Sequence, residues 1–154
     1  MIYAITIPAD LLSCAHRPRA SVSRRGRLTM RKADAYAAWI AYLRAVVHRP
    51  EGWPVDADQR YVVRIALHPP DRIARDADNV AKGVLDALGW PRIAKRYTKI
   101  PGAWTLWRDD SQVSMLDIVI GAHDPDRPRL SLIARVLDAG VAERHARIME
   151  EVTR

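Results

Sequence analysis

Residues 60–88, RYVVRIALHPPDRIARDADNVAKGVLDAL, decide the fold. Tyr61, Val63, Ile65 and Leu67 recur at every second position, the signature of a strand with one buried face. Pro69-Pro70 ends it, since proline cannot donate to a strand ladder. Ala81, Val84, Leu85 and Leu88 then recur at steps of three and four, so a short amphipathic helix follows and turns these four inward. Lys82 and Asp86 are left on another face, where they suit an i,i+4 ion pair of about 0.2–0.5 kcal/mol. Gly89-Trp90-Pro91 stops the helix.

The loop between strand and helix carries the chemistry. Asp76 and Asp78 are one residue apart, and in extended backbone residues i and i+2 point to one side. Both carboxylates can then face one cation. Asp78 also suits the N-cap position, with Lys82 one turn later. Two acids and a lysine at a helix N-terminus are a site for a metal and a phosphate. Asp-x-Asp recurs at Asp56/Asp58 and Asp124/Asp126, but only the middle pair leads into a helix with a lysine. Asp109-Asp110, opening a later strand, can supply a third carboxylate.

Working outward, Ile2–Ile7 reads as a first strand. Residues 8–28 form a loop containing Arg17, Arg19, Arg24, Arg25 and Arg27, whose charges are solvated or lie on a partner's phosphates. Residues 30–48 form a helix with the stripe Ala33, Tyr36, Ile40, Leu43 and Val47, and Trp39 and Tyr42 beside it either widen the core face or meet a second subunit, with core the expected role. Residues 112–121 and 129–137 read as strands. The turn chemistry of His123-Asp124-Pro125-Asp126-Arg127-Pro128 between them implies a hairpin. Val141, His145, Ile148 and Val152 mark a C-terminal amphipathic helix over 139–154. The expected architecture is α+β: a mixed four-stranded sheet in the order β-α-β-α-β-β with helices packed against it, in one domain over 1–138.

Composition narrows the partners. The chain has 154 residues, 49% of them hydrophobic, and a net charge of +7. Nine of its basic residues stand against two acids in residues 1–50, so the positive field is concentrated there. Residues 89–108 add Arg92, Lys95, Arg96, Lys99 and Arg108 without an acid, interleaved with Trp90, Tyr97, Trp104 and Trp107. Cations among aromatic rings can track phosphates and stack on unpaired bases, or the tryptophans can simply cover the core. A basic chain with clustered aspartates points to a polyanion overall and a cation locally. The expected ion is Mg²⁺, or Mn²⁺, because the donors are all oxygen. One cysteine, Cys14, excludes an internal disulfide, and the five histidines have no zinc-ligand spacing. No run is long enough to span a membrane, and no secretory signal is seen, so a cytoplasmic protein is expected.

The run Arg75-Asp76-Ala77-Asp78-Asn79-x-x-Lys82, then Leu85-Asp86-Ala87-Leu88, then Trp107-x-Asp109-Asp110-Ser111-Gln112-Val113, resembles the RusA family of Holliday junction resolvases. The resemblance spans residues 2–135, with its specific motifs between 68 and 113. Arg25-Gly26-Arg27 is similar to a basic segment of that family, whereas Pro8–Ser13 departs from its pattern and residues 89–108 look inserted. The resemblance implies Mg²⁺-dependent cleavage of four-way DNA junctions by a homodimer. It assigns Asp76, Asp78 and Asp110 to the metal and Lys82 to charge developing on the phosphate. Arg25, Arg27, Arg72, Arg75, Arg92, Lys95, Arg96 and Lys99 are the expected DNA contacts. Two other readings stand beside it: a branched-DNA-binding module that does not cut, and a metal-dependent nucleotide phosphohydrolase.

Overall fold

The computed structural model describes residues 1–9, 31–93, 96–97, 105–138 and 140, with backbone alone for 31–35, 92–93 and 96–97. In chain order the elements are β1 (Ile2–Pro8), α1 (Arg31–Val46), β2 (Arg60–His68), α2 (Ala77–Leu88), β3 (Arg92–Ile93), β4 (Arg96–Tyr97), β5 (Val113–Ile120) and β6 (Arg129–Leu137). A single 3₁₀ turn, Asp110–Gln112, leads into β5. Among the described residues the fold is α+β with a four-stranded mixed sheet and two helices. The expected C-terminal helix over 139–154 lies outside the described residues.

The sheet order is β1-β6-β2-β5. β6 runs antiparallel to both β1 and β2, while β5 runs parallel to β2. This corrects the hairpin expected from residues 123–128, because β2 lies between the two strands that turn joins. Turn chemistry fixes that the chain reverses, not which strand it then joins. Here residues 121–128 cross the C-terminal end of β2. The Gly121 amide donates to the Leu67 carbonyl at 2.8 Å and the Asp124 amide to the Pro69 carbonyl at 2.8 Å. Parallel β2 and β5 need a crossover, and α2 supplies it. Residues 89–108, read as a loop, contain the small antiparallel ribbon β3-β4.

One core lies between one face of the sheet and the two helices. Tyr61, Val63, Ile65 and Leu67 of β2 are fully buried there beside Leu130, Leu132 and Ala134 of β6. From α2, Ala81, Val84, Leu85 and Leu88 are buried as their spacing predicts, joined by Val80, Gly83 and Ala87. α1 presents a slightly different face from the one expected. Trp39, Leu43 and Val47 are buried, whereas Tyr36 and Ile40 are only half-buried. An indole removes more apolar area from water than its neighbours, so the helix turns to bury Trp39. Tyr3, Trp53, Tyr61 and Trp107 form a chain of ring contacts with centroids 5.9–6.3 Å apart. Trp107 belongs to this core, not to a nucleic-acid surface. The Tyr61 hydroxyl donates to the Pro54 carbonyl at 2.5 Å, and burial pushes its pKa up.

Candidate functional site

α2 begins two residues earlier than its acidic entry suggested. Asp76, with φ −75° and ψ 127°, is the N-cap residue, and Asp78 already lies in the first helical turn. The pair therefore does not lie in extended backbone, and Asp78 is not the cap. Asp76 makes no capping bond with its side chain; its Oδ2 accepts from the Asn79 side-chain nitrogen Nδ2 at 3.0 Å. Both aspartates are exposed.

Lys82 is where the two motif segments meet. Its Nζ donates to Asp86 Oδ1 at 2.8 Å within α2 and also contacts Asp110 Oδ2. Burial pulls the Lys82 pKa down, but the bonds to Asp110 and Asp86 outweigh it, and the net shift is upward from 10.5. The second oxygen of Asp86 accepts from the Tyr36 hydroxyl at 3.1 Å, which ties α1 to the same cluster. Arg44 of α1 donates from Nε to the Ala87 carbonyl at 3.1 Å, near the C-terminal end of α2, where carbonyls lack helical partners.

The 3₁₀ turn holds Asp110 in place. Asp109 is its N-cap, accepting from the Ser111 amide at 2.8 Å. Gln112, 2% exposed, accepts through Oε1 from the amides of Arg108 at 2.8 Å and Asp109 at 3.0 Å. Its Nε2 reaches the carbonyls of Asp56, Ala57 and Gln59. One amide thus staples the turn to the loop before β2. Asp109 serves the backbone, and Asp110 is the acid left to face Lys82.

A cavity of about 510 Å³ opens here, lined by Arg44, Lys82, Asp86, Trp90, Arg108 and Asp110 among others. Asp76 and Asp78 do not line it. The Arg108 guanidinium sits 5.3 Å from the centroid of the Trp90 ring, in cation–π range. The walls mix both charges, which suits a zwitterionic or metal-neutralised ligand more than a bare anion.

The expected basic contacts divide. Arg72 is exposed, its Nε donating to the His123 ring at 3.3 Å. Arg75 departs from expectation: its side chain is 1% exposed and both terminal nitrogens bond Asp71, at 2.7 and 3.1 Å. That arginine shapes the loop before α2 instead of offering charge to a partner. Arg25, Arg27, Lys95 and Lys99 lie outside the described residues. Arg92 and Arg96 fall on the paired backbones of β3 and β4.

The expected magnesium site can be tested against these positions. Asp76, Asp78 and Asp110 offer the hard oxygen donors such an ion prefers. They are not gathered: among the described residues no three acidic, histidine or cysteine side chains form a group that could hold a metal. Asp110 is instead held by an ammonium and Asp76 by an amide. The donors fit the ion in kind but not in place. Sequence spacing anticipated the Lys82–Asp86 pair. It gave no sign of Tyr36, Arg44 or the Gln112 staple, whose partners are far away in the chain. No protein-family model matches the chain, and no curated protein matches it in sequence.

Proposed function

We propose that the chain is an endonuclease that cleaves branched DNA, four-way junctions foremost, as a homodimer. The observation that carries this reading is the contact of Lys82 with Asp110. It brings together the helix and the 3₁₀ turn, the two segments that bear the RusA-like motifs. In this reading Lys82 leaves Asp110 and its ammonium meets the negative charge developing on the scissile phosphate. Asp76, Asp78 and Asp110 are not gathered in this structure; they would hold Mg²⁺ or Mn²⁺ only after a rearrangement that frees Asp110 from Lys82 and brings the three together, and the ion would then supply a charge that polarises the phosphate. Asp86 keeps the lysine aligned from below, and Tyr36 keeps Asp86 aligned in turn. Arg72 and the basic residues of the N-terminal third supply salt-dependent affinity for the backbone.

Incubating a labelled synthetic four-way junction with the protein and Mg²⁺ tests the proposal. Wild type should cut the junction and spare linear duplex, and Asp78→Asn should bind without cutting. Binding with no cleavage by wild type, in Mg²⁺ or Mn²⁺, would sink it. One observation favours a second reading. Lys82 already satisfies Asp86 and Asp110, as a purely structural clamp would, and this fits a module that grips branched DNA without cutting it. That module predicts an Asp110→Asn variant with unchanged function.

A further inference from the structure

Among the described residues β5 is an edge strand of unusual character. It pairs with β2 on one side, and the sheet order ends at it. Its sequence, VSMLDIVI, holds no lysine, arginine, proline or glycine, the residues that usually blunt an edge. Met115 is 47% exposed, Leu116 41%, Val119 47% and Ile120 37%. These four lie on both faces of the strand. The Gly121 amide points toward β2, onto the Leu67 carbonyl. Backbone groups alternate along a strand, so those of Leu116, Ile118 and Ile120 face away from β2. A row of peptide donors and acceptors, flanked by apolar side chains, therefore stands along the outside of the sheet.

We infer that β5 pairs antiparallel with β5 of a second copy of this chain, joining two sheets into one of eight strands. The homodimer part of the reading above gains its surface here, and the inference does not depend on the cleavage chemistry. Three observations select this occupant. First, the other free edge, β1, is partly blocked. Pro8 at its end has no amide to offer, and its carbonyl accepts from the Tyr42 hydroxyl at 3.1 Å. Second, pairing β5 with a partner's β1 is head-to-tail and builds a ring or an open filament, whereas β5 against β5 closes after two copies. Third, charge permits it. A chain of net charge +7 repels its own copies, but β5 carries one acid, Asp117, neutralised by Arg64 at 2.6 Å.

Side-chain matching follows from the two-fold axis. Such pairing keeps each face of the sheet continuous, so open-face residues Met115, Asp117 and Val119 meet their own kind, and Leu116, Ile118 and Ile120 meet theirs. The exposed Ile133 on β6 and Ile2 on β1 extend the same open face away from the seam.

Sedimentation velocity and amide hydrogen exchange on the full chain test this. Wild type should sediment at twice the 17.4 kDa chain mass. The amides of Leu116, Ile118 and Ile120 should lose protection as it is diluted into monomer. Leu116→Lys and Val119→Lys should run as monomers with unchanged circular dichroism. A wild type that remains monomeric at every concentration would overturn the proposal, as would a dimer in which those three amides exchange freely. Protection of them in a monomer would also overturn it, since the chain would then cover its own edge. If the lysine variants misfold, the wild-type exchange pattern decides alone. A β5-paired dimer that fails to cut junctions removes the nuclease reading and keeps this surface; a monomer that cuts them does the reverse.

Discussion

The Lys82 ammonium rests on the carboxylate of Asp110, 28 residues further along the chain. Asp86 shares the same ammonium from one helical turn away. Removing the lysine takes away the ammonium that Asp86 and Asp110 share. Lys82→Met should therefore cost stability only modestly, about 0.5–1 kcal/mol, because the pair is partly solvated. If the site cleaves DNA, junction cleavage should fall at least ~100-fold with affinity retained. Urea denaturation and single-turnover cleavage read the two effects separately.

Gln112 should be far less tolerant than its polar chemistry suggests. Gln112→Leu leaves the amides of Arg108 and Asp109 and the carbonyls before β2 without partners in a buried place. A loss of about 2–4 kcal/mol is expected, more than a surface substitution costs. Equilibrium urea unfolding measures it, and a change below that range would show that water replaces the staple.

Acid should loosen two loop clamps. Arg75 beside Asp71 and Arg129 beside Asp124 hold both carboxyls below their usual 3.8. Their contribution is complete above pH 3.8 and is lost as pH falls through the lowered values. Asp71→Asn should flatten the acid limb of a plot of Tm against pH. Lys82 acts at the other end: its raised pKa gives a contribution complete below 10.5 and lost as pH rises through the folded value. Lys82→Met should remove that alkaline limb.

Gly121 has room for a methyl group only if the His68 ring moves. A Cβ there would lie 2.7 Å from the His68 ring, which itself approaches the Ala122 carbonyl at 3.3 Å. Gly121→Ala should turn the half-exposed imidazole aside at a small cost, about 0.5 kcal/mol. The His68 ring resonances in an NMR spectrum should shift, with the remaining core unchanged.

β2 and α2 were legible because each buries one continuous face, so their periodicity is a direct image of burial. The inward face of α1 was harder to place, since Trp39 and the stripe beside it compete for the same core. Strand neighbours were not legible. The residues that make β6 a strand are the same whether it pairs with β5 or with β2, and the choice depends on the whole sheet. Within the site, Lys82 and Asp86 announce themselves by spacing. Arg75 looked like a surface charge because its partner Asp71 sits in a loop, where no fixed period links side chains. Asp110 was tied to Lys82 through resemblance alone, as sequence spacing has nothing to say across 28 residues.

Topology also constrains how the chain can assemble. Among the described residues β1 has one strand neighbour, β6, and their register sets Ile5 against Leu132. During synthesis β1 must wait for this neighbour until residues 129–137 have left the ribosome. β2 likewise lacks its antiparallel neighbour until β6 arrives. Sheet closure is therefore a late event dominated by distant pairings, a condition that slows folding and lengthens exposure of sticky strands. A fragment ending before residue 129 would keep both helices and yet have nothing to lock its opening strand.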